Sequence, residues 1–182
     1  MNQLLLFALL SIPLIVISLK PLMNPASHGF YRFFGWEGMA WLFSCNYRYW
    51  FADPFSVSQV ISWVLLAVSI YYVAAGSVLL IGKGKPGKHR NDEALYQFEK
   101  TSELVDTGLY KYIRHPLYGS LIFLTWGILL KNITWSGVVV TLASTFFFYL
   151  TARRDEKECT AHFGAEYTQY MKRSAMFVPF VF

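Results

Sequence analysis

The sequence has few charged residues: Asp, Glu, Lys and Arg make up 15% of its 182 residues, against about 25% in an ordinary soluble domain. A chain of this length can bury one core, but too few polar groups remain to cover its surface in water. The hydrophobic share of 55% and the mean hydropathy of +0.36 therefore indicate that lipid is part of the solvent. The composition excludes a disordered chain, collagen-like repeats and a nucleic-acid-binding tail.

Cysteine is also scarce, since only Cys45 and Cys159 are present and they lie far apart. Their spacing fits neither a disulfide framework nor a zinc site, so we predict no metal. The glycine- and lysine-rich run at residues 82–88 has no preceding strand and no Lys-Ser/Thr ending, which excludes a phosphate-binding loop. We interpret this run as a basic linker at the membrane surface.

Long apolar runs predict an all-α integral membrane protein with about five transmembrane helices. Residues 4–19, 57–81 and 133–150 are clear spans, and we expect the first to be retained rather than cleaved as a signal peptide. Residues 117–130 form a helical hairpin with the last span, with Lys131 in the turn extending to the headgroups. Residues 30–51 contain Arg32, Glu37 and Arg48, so this segment either spans the bilayer or lies tilted in its interface.

The basic residues orient these spans. When five spans alternate, 14 of the 16 Lys and Arg residues fall on one side, so residues 82–116 and the C-terminus should face the cytoplasm. We divide the chain into an N-terminal membrane-spanning region (1–81) and a C-terminal catalytic region (82–182) with a cytoplasmic loop, the hairpin and a cytoplasmic amphipathic helix. Orientation and anionic lipid headgroups account for the net charge of +5, so we expect no nucleic-acid partner.

Two polar stretches flank the hairpin, and a tight hairpin brings both to one membrane face. In the first, His115 lies between Tyr110 and Tyr118 at a predicted helix start, where N–H groups suit a carboxylate and aromatic rings suit a sulfonium cation. An alternative interpretation is that Arg114 and His115 only mark the end of a membrane helix at the level of the lipid headgroups. The second stretch, from Arg153 onward, carries arginines and acids that suit an anion, a ribose or an ammonium group. The second stretch equally fits a solvated helix face, followed by packing aromatics.

These stretches resemble the isoprenylcysteine carboxyl methyltransferase family, integral-membrane enzymes related to the phospholipid N-methyltransferases. The resemblance lies in residues 104–110, the Arg-His-Pro-Leu-Tyr run at 114–118, the Asp-Glu pair at 155–156 and the Phe-Gly-Ala-Glu-Tyr-Thr-Gln-Tyr run at 163–170. It covers roughly residues 98–182. It implies methyl transfer from S-adenosylmethionine (AdoMet) to a lipophilic substrate that enters from the bilayer, with carboxyl methylation of an isoprenylcysteine-like compound as the family activity.

The sequence does not decide whether the methyl acceptor is a carboxylate, a phospholipid amine or a thiol. An amine acceptor needs a group that takes up its proton, for which Glu156, Glu158 and His115 are candidates. Outside the enzymes, the alternatives are a non-catalytic membrane scaffold and a small transporter subunit.

The resemblance also implies site residues, position by position. The implied cofactor pocket consists of Glu103, Leu104, Val105, Tyr110, His115, Pro116, Leu117, Tyr118, Asp155 and Glu156. Either Asp155 or Glu156 fills the family role of the cofactor-binding acid after the last span. The implied catalytic residues are Glu156 and the arginine that orients a substrate carboxylate, which is Arg153 or Arg154.

Overall fold

The computed structural model describes residues 2–85 and 101–181, and in these two ranges every regular secondary-structure element is a helix. The α-helices are α1 (Gln3–Leu22), α2 (His28–Asn46), α3 (Val57–Lys83), α4 (Pro116–Leu129), α5 (Trp135–Phe163) and α6 (Ala165–Arg173). The predicted all-helical class is confirmed. Residues 86–88 of the basic linker at 82–88, and Lys88, Arg90 and Lys100 of the orientation argument, lie outside the described residues.

Three of the described helices, α1, α3 and α5, are long and apolar enough to cross a membrane. The apolar helix α4 has 14 residues, fewer than the ~20 that cross a bilayer without tilt or thinning. Helix α2 packs against α1 and α5, and α3 packs against α4. The count of five spans and the cytoplasmic orientation stay predictions.

The burial pattern of the spans is the one expected in lipid. Large apolar side chains such as Ile12, Val16 and Ile70 face outward. Small polar side chains are buried between the helices instead, among them Ser11, Ser18, Ser62, Ser69, Thr141 and Ser144. Because lipid tails are as apolar as leucine, helices in a membrane associate through close packing and hydrogen bonds rather than through the hydrophobic effect.

Helices α2 and α5 approach closely at two glycines of α2. A Cβ atom at Gly35 would lie 2.5 Å from Cε1 of Phe148, whose side chain is fully buried. A Cβ atom at Gly38 would overlap Oγ of Ser144. The absence of side chains at these two positions therefore sets the distance between α2 and α5.

Lys131, in the turn between α4 and α5, points into the protein. Its residue is 5% exposed, its Nζ donates a hydrogen bond to Oε1 of Gln59 at 3.0 Å, and the same atom lies 3.5 Å from the ring centroid of Trp63. The prediction that Lys131 extends to the headgroups is therefore wrong. Two side chains of α3 offer the ammonium group a hydrogen bond and a cation–π contact inside the fold.

Helix α5 carries both the last predicted span and the charged stretch that follows it. Its 29 residues extend over about 43 Å at 1.5 Å per residue, more than the ~30 Å hydrocarbon core. The charged turns from Arg153 onward therefore continue as a rigid extension of the span. The helix ends at Gly164, whose φ of +62° favours glycine, and α6 begins at the next residue.

The close contact of α2 with α5 leads to a stability prediction. Replacement Gly35→Ala forces a methyl group against Phe148, so we expect a loss of about 1–3 kcal/mol of stability. Gly82, on the exposed end of α3, has no heavy atom within 4 Å of its Cβ position, so Gly82→Ala is the matched control and should be neutral or slightly stabilising. Thermal unfolding of both variants in detergent tests the packing, and equal melting temperatures would contradict it.

Candidate active site

The two polar stretches of the sequence meet in one cleft, beside the ends of α3, α4 and α5. The 3₁₀ turn Gly108–Lys111 and α6 close its sides. The residues that line the cleft are Leu80, Thr101, Leu104, Val105, Tyr110, Arg114, His115, Pro116, Leu117, Tyr118, Asp155, Cys159, Phe163, Tyr167 and Tyr170. Apolar and aromatic walls with a few converging charged groups are typical of a small-molecule site.

The segment before α4 is held by the C-terminal tail. The backbone N–H groups of Arg114 and His115 donate to the carbonyls of Ala175 and Met176 at 2.8 and 3.1 Å, and the N–H of Ala175 donates back to Tyr112 at 2.9 Å. Pro116 then starts α4 at the first helical position, where its missing N–H costs no hydrogen bond. His115 is thereby fixed at the N-cap position, with its ring stacked on Tyr118 at a centroid distance of 5.6 Å.

His115 lies between two carboxylates of α5. Its Nδ1 is 3.4 Å from Oδ2 of Asp155, and its Nε2 is 3.6 Å from Oε1 of Glu156. Burial alone would lower the pKa of His115, but the close contact of its ring with the two carboxylates and their negative charge outweigh burial and raise it. Nε2 is buried and has no hydrogen-bond partner among the residues that the structure describes.

Arg114 also turns into the protein rather than toward the headgroups. Its Nε donates to Oε1 of Glu156 at 2.8 Å, and its Nη1 donates to the backbone carbonyls of Met171 and Ser174. With the side chain of Arg114 12% exposed and that of Glu156 9% exposed, this is a largely buried ion pair. It joins the segment before α4 to α5 and to the end of α6.

The helical phase of α5 separates the two candidate acids. Asp155, Cys159 and Phe163 recur every fourth residue and face the cleft, where the Cys159 thiol donates to Oδ1 of Asp155 at 3.6 Å. Glu156 is rotated by about 100° and is tied to Arg114 beside the cleft. The geometry therefore favours Asp155 over Glu156 as a direct ligand group.

The two candidate arginines point in different directions. Arg154 faces α2, where its Nη2 donates to the hydroxyl of Tyr31 at 3.4 Å and its guanidinium lies 5.5 Å from that ring. Arg153 is exposed in a surface groove that it shares with Glu156 and Lys157. Neither arginine lines the cleft, so the structure does not bring them to Asp155.

Most of the implied cofactor residues line the cleft: Leu104, Val105, Tyr110, His115, Pro116, Leu117, Tyr118 and Asp155. Glu103 does not, because its exposed carboxylate pairs with Nζ of Lys85 at 2.7 Å. For the eight implied residues that line the cleft, the role in cofactor binding stays a prediction.

Sequence reasoning missed Leu80, Thr101 and Cys159 as cleft residues. The four-residue spacing from Asp155 could have identified Cys159, but no local signal marks Leu80 at the end of α3 or Thr101. The aromatic spacing after Phe163 predicts that Tyr167 and Tyr170 are packing residues, and in the structure they both pack and line the cleft. The Tyr170 hydroxyl donates to the carbonyl of Tyr110 at 2.6 Å.

Comparison with known proteins finds methyltransferases. Residues 89–166 match the family model described as phospholipid methyltransferase. A methanethiol S-methyltransferase of Pseudomonas deceptionensis is 31% identical over 71 residues, which cover 39% of this chain and 26% of that protein. Methanethiol S-methyltransferases 2 and 1 of Bradyrhizobium diazoefficiens are 32% and 26% identical over 74 and 118 residues, covering 41% and 64% of this chain and 28% and 38% of those proteins. No solved structure matches the chain.

These matches confirm the resemblance to integral-membrane methyltransferases, and with the apolar helices they indicate a membrane protein. They favour an enzyme over a scaffold or a transporter subunit. The matched part of the chain spans less than half the length of these relatives.

The position of His115 between two carboxylates leads to a prediction about pH. Because the pKa of His115 is raised in the folded state, its protonated form stabilises the fold fully below the ordinary histidine pKa of about 6.5. That contribution is lost as the pH rises through the raised pKa. We expect the melting temperature of the wild type to exceed that of His115→Gln most near about pH 6 and the difference to shrink at higher pH. A difference that stays constant over pH would contradict this coupling.

Proposed function

We propose that this chain is an integral-membrane methyltransferase that uses AdoMet to methylate a lipophilic thiol, an interpretation supported by the family match over residues 89–166. The observation that carries the proposal is the cleft in which His115, Asp155 and several aromatic rings converge beside the hydrophobic hairpin. Sulfur as the accepting atom is supported by the similarity to proteins named methanethiol S-methyltransferase. We further propose that the cleft faces the cytoplasm and that no metal or nucleic acid takes part.

The chemistry of the cleft suits AdoMet. The rings of Tyr110, Tyr118 and Tyr167 offer faces for an adenine and for a sulfonium cation. The carboxylate of Asp155 suits a ribose diol or an ammonium group. The Nε2 of His115 is a buried polar atom that lacks a hydrogen-bond partner among the described residues, and a ligand carboxylate would provide one.

Bound AdoMet supplies a methyl group that is already activated on a sulfonium sulfur. The protein therefore has mainly to position the acceptor and to keep water away from it. A thiol acceptor would release its proton as it takes the methyl group and the donor leaves as a neutral thioether, and the Asp155 carboxylate can take up that proton. Asp155 can accept a hydrogen bond from an S–H group, because it already does so from Cys159 at 3.6 Å.

An apolar groove between α4 and α5 supports entry of the acceptor from the bilayer. Its lining residues are Gly119, Ile122, Phe123, Leu142, Thr145, Phe146, Tyr149, Phe177 and Val178. Phe177 connects this groove with the cleft, since its ring centroid lies 6.4 Å from that of His115. A lipophilic acceptor in the groove would thus have its polar end near the cleft.

The second candidate function is carboxyl methylation of an isoprenylcysteine-like compound. It is favoured by the apolar groove, whose nine lining residues offer more surface than a one-carbon thiol needs. In that case Arg153 suits the acceptor carboxylate better than Arg154, because Arg153 is exposed in a groove while Arg154 lies on Tyr31.

The AdoMet site is tested by binding. We expect the purified protein to bind AdoMet in calorimetry and Asp155→Asn to weaken binding about tenfold or more, since a hydrogen bond to a charged group contributes about 1.5–3 kcal/mol. Asp53→Asn makes the same change in the exposed segment before α3, away from the cleft, and should leave the affinity unchanged. Lack of binding by the wild type in both detergent and lipid would refute the proposed function.

Alkylation of Cys159 gives a readout of site occupancy that does not depend on activity. Cys159 lines the cleft, whereas Cys45, the other cysteine in the sequence, lies on α2. In a Cys45→Ser variant, AdoMet should slow alkylation of Cys159 by a maleimide. In a Cys159→Ser variant, AdoMet should leave the rate at Cys45 unchanged. Equal protection of both cysteines would indicate a global effect rather than a ligand in the cleft.

The acceptor is identified by transfer of a labelled methyl group from AdoMet. We expect label on alkane thiols, with rates that rise with chain length because the groove is apolar. Isoprenylcysteine analogues and phosphatidylethanolamine are the matched carboxylate and amine acceptors. If either of these compounds is labelled in preference to every thiol, the proposal that sulfur is the accepting atom is wrong.

A further inference from the structure

A second cluster of charged groups lies beside the cleft, at the first turn of α2. His28, Asp155 and Glu158 each offer an atom within 4.8 Å of the others. His28 is fully buried, and it contacts both oxygens of Glu158: its backbone N–H donates at 3.0 Å and its Nδ1 lies at 2.5 Å. A separation of 2.5 Å between nitrogen and oxygen is a short hydrogen bond, so no cation lies between these two atoms.

Asp155 connects this cluster to the cleft. Asp155 and Glu158 are three residues apart on α5, so their carboxylates project from neighbouring positions of one helix. While Glu158 is held by His28, Asp155 reaches His115 at 3.4 Å. Two histidines from distant parts of the chain, one at the start of α2 and one at the N-cap of α4, therefore contact one charged turn of α5.

We propose that His28 is a positioning residue of the active site, which fixes the charged turn of α5 so that Asp155 lies against His115. This inference rests on the proposed AdoMet site and extends it to α2, outside the family match at residues 89–166. Loss of the His28 side chain leaves two carboxylates side by side in a partly buried place. Repulsion between these carboxylates either turns Asp155 away from His115 or favours protonation of one carboxylate. Either change weakens the binding of a ligand that needs the charged Asp155 side chain.

A neighbouring contact provides a matched control. Tyr31, one helical turn after His28, also joins α2 to α5 through Arg154. Tyr31 does not line the cleft, and its hydrogen bond goes to Arg154 rather than to Asp155 or Glu158. Loss of the Tyr31 ring should therefore loosen α2 from α5 without altering the cleft.

The experiment measures AdoMet affinity and melting temperature for the full chain in detergent, in the wild type, His28→Ala, His28→Asn and Tyr31→Ala. We expect His28→Ala to raise the Kd for AdoMet about tenfold, the loss that follows when one hydrogen bond to a charged group of the ligand is weakened. Asparagine places an N–H where Nδ1 of histidine stands, so His28→Asn should recover the affinity to within about threefold of wild type. Tyr31→Ala should lower the melting temperature and leave the Kd unchanged.

Three outcomes would overturn the positioning role. They are wild-type affinity in His28→Ala, equal loss of affinity in Tyr31→Ala, and no recovery in His28→Asn at an equal melting temperature. If His28→Ala does not fold, the comparison of His28→Asn with His28→Leu decides, because leucine fills the buried space but offers no hydrogen-bond donor to Glu158. The former should bind AdoMet more tightly, and equal affinity or the reverse order would overturn the role. Stabilisation of the wild type but not of His28→Asn by added zinc would instead indicate a metal site. Failure of the wild type to bind AdoMet would refute the proposed function itself, an outcome distinct from all of these.

Discussion

The close contact between α2 and α5 is the constraint on which the rest of this structure depends. At this contact Gly35, which has no side chain, admits the ring of Phe148 and brings the two backbones together. The same interface continues beyond the apolar part of α5, where His28 holds Glu158. One packed seam thus runs along α2 and α5 from Gly35 to the edge of the cleft, where the contact of His28 with Glu158 bears on the side of α5 that presents Asp155.

Because α5 is continuous, successive charged residues along it point in different directions around the helix axis and so face three different parts of the structure. At about 100° per residue, Asp155 faces the cleft, Glu156 faces Arg114, and Arg154 faces α2. A break in the helix at the membrane surface would have uncoupled these directions from the packing of the span. The length of α5 therefore transmits the geometry of the membrane-spanning part to the candidate site.

The sequence supported the helical class and the meeting of the two polar stretches, because hydropathy and the short hairpin depend on local composition. It did not decide between Asp155 and Glu156, since that choice depends on the phase of α5 against its neighbours. The exposure of Lys131 was predicted wrongly because its partners on α3, Gln59 and Trp63, are remote in the sequence. Long-range pairing of this kind leaves no mark in a local pattern, and the same holds for Leu80 in the cleft wall.

The charges at the site form pairs that depend on one another. Arg114 with Glu156, and His115 with Asp155, place an arginine and a histidine against two carboxylates in a largely buried place. Removal of one partner from a buried pair leaves an uncompensated charge and destabilises by about 3–5 kcal/mol. A substitution by alanine at any of these positions therefore changes the fold and the ligand site together, whereas an acid-to-amide change retains the shape and removes only the charge. A role in ligand binding can thus be separated from a role in folding only by variants that keep the hydrogen bonds of the network.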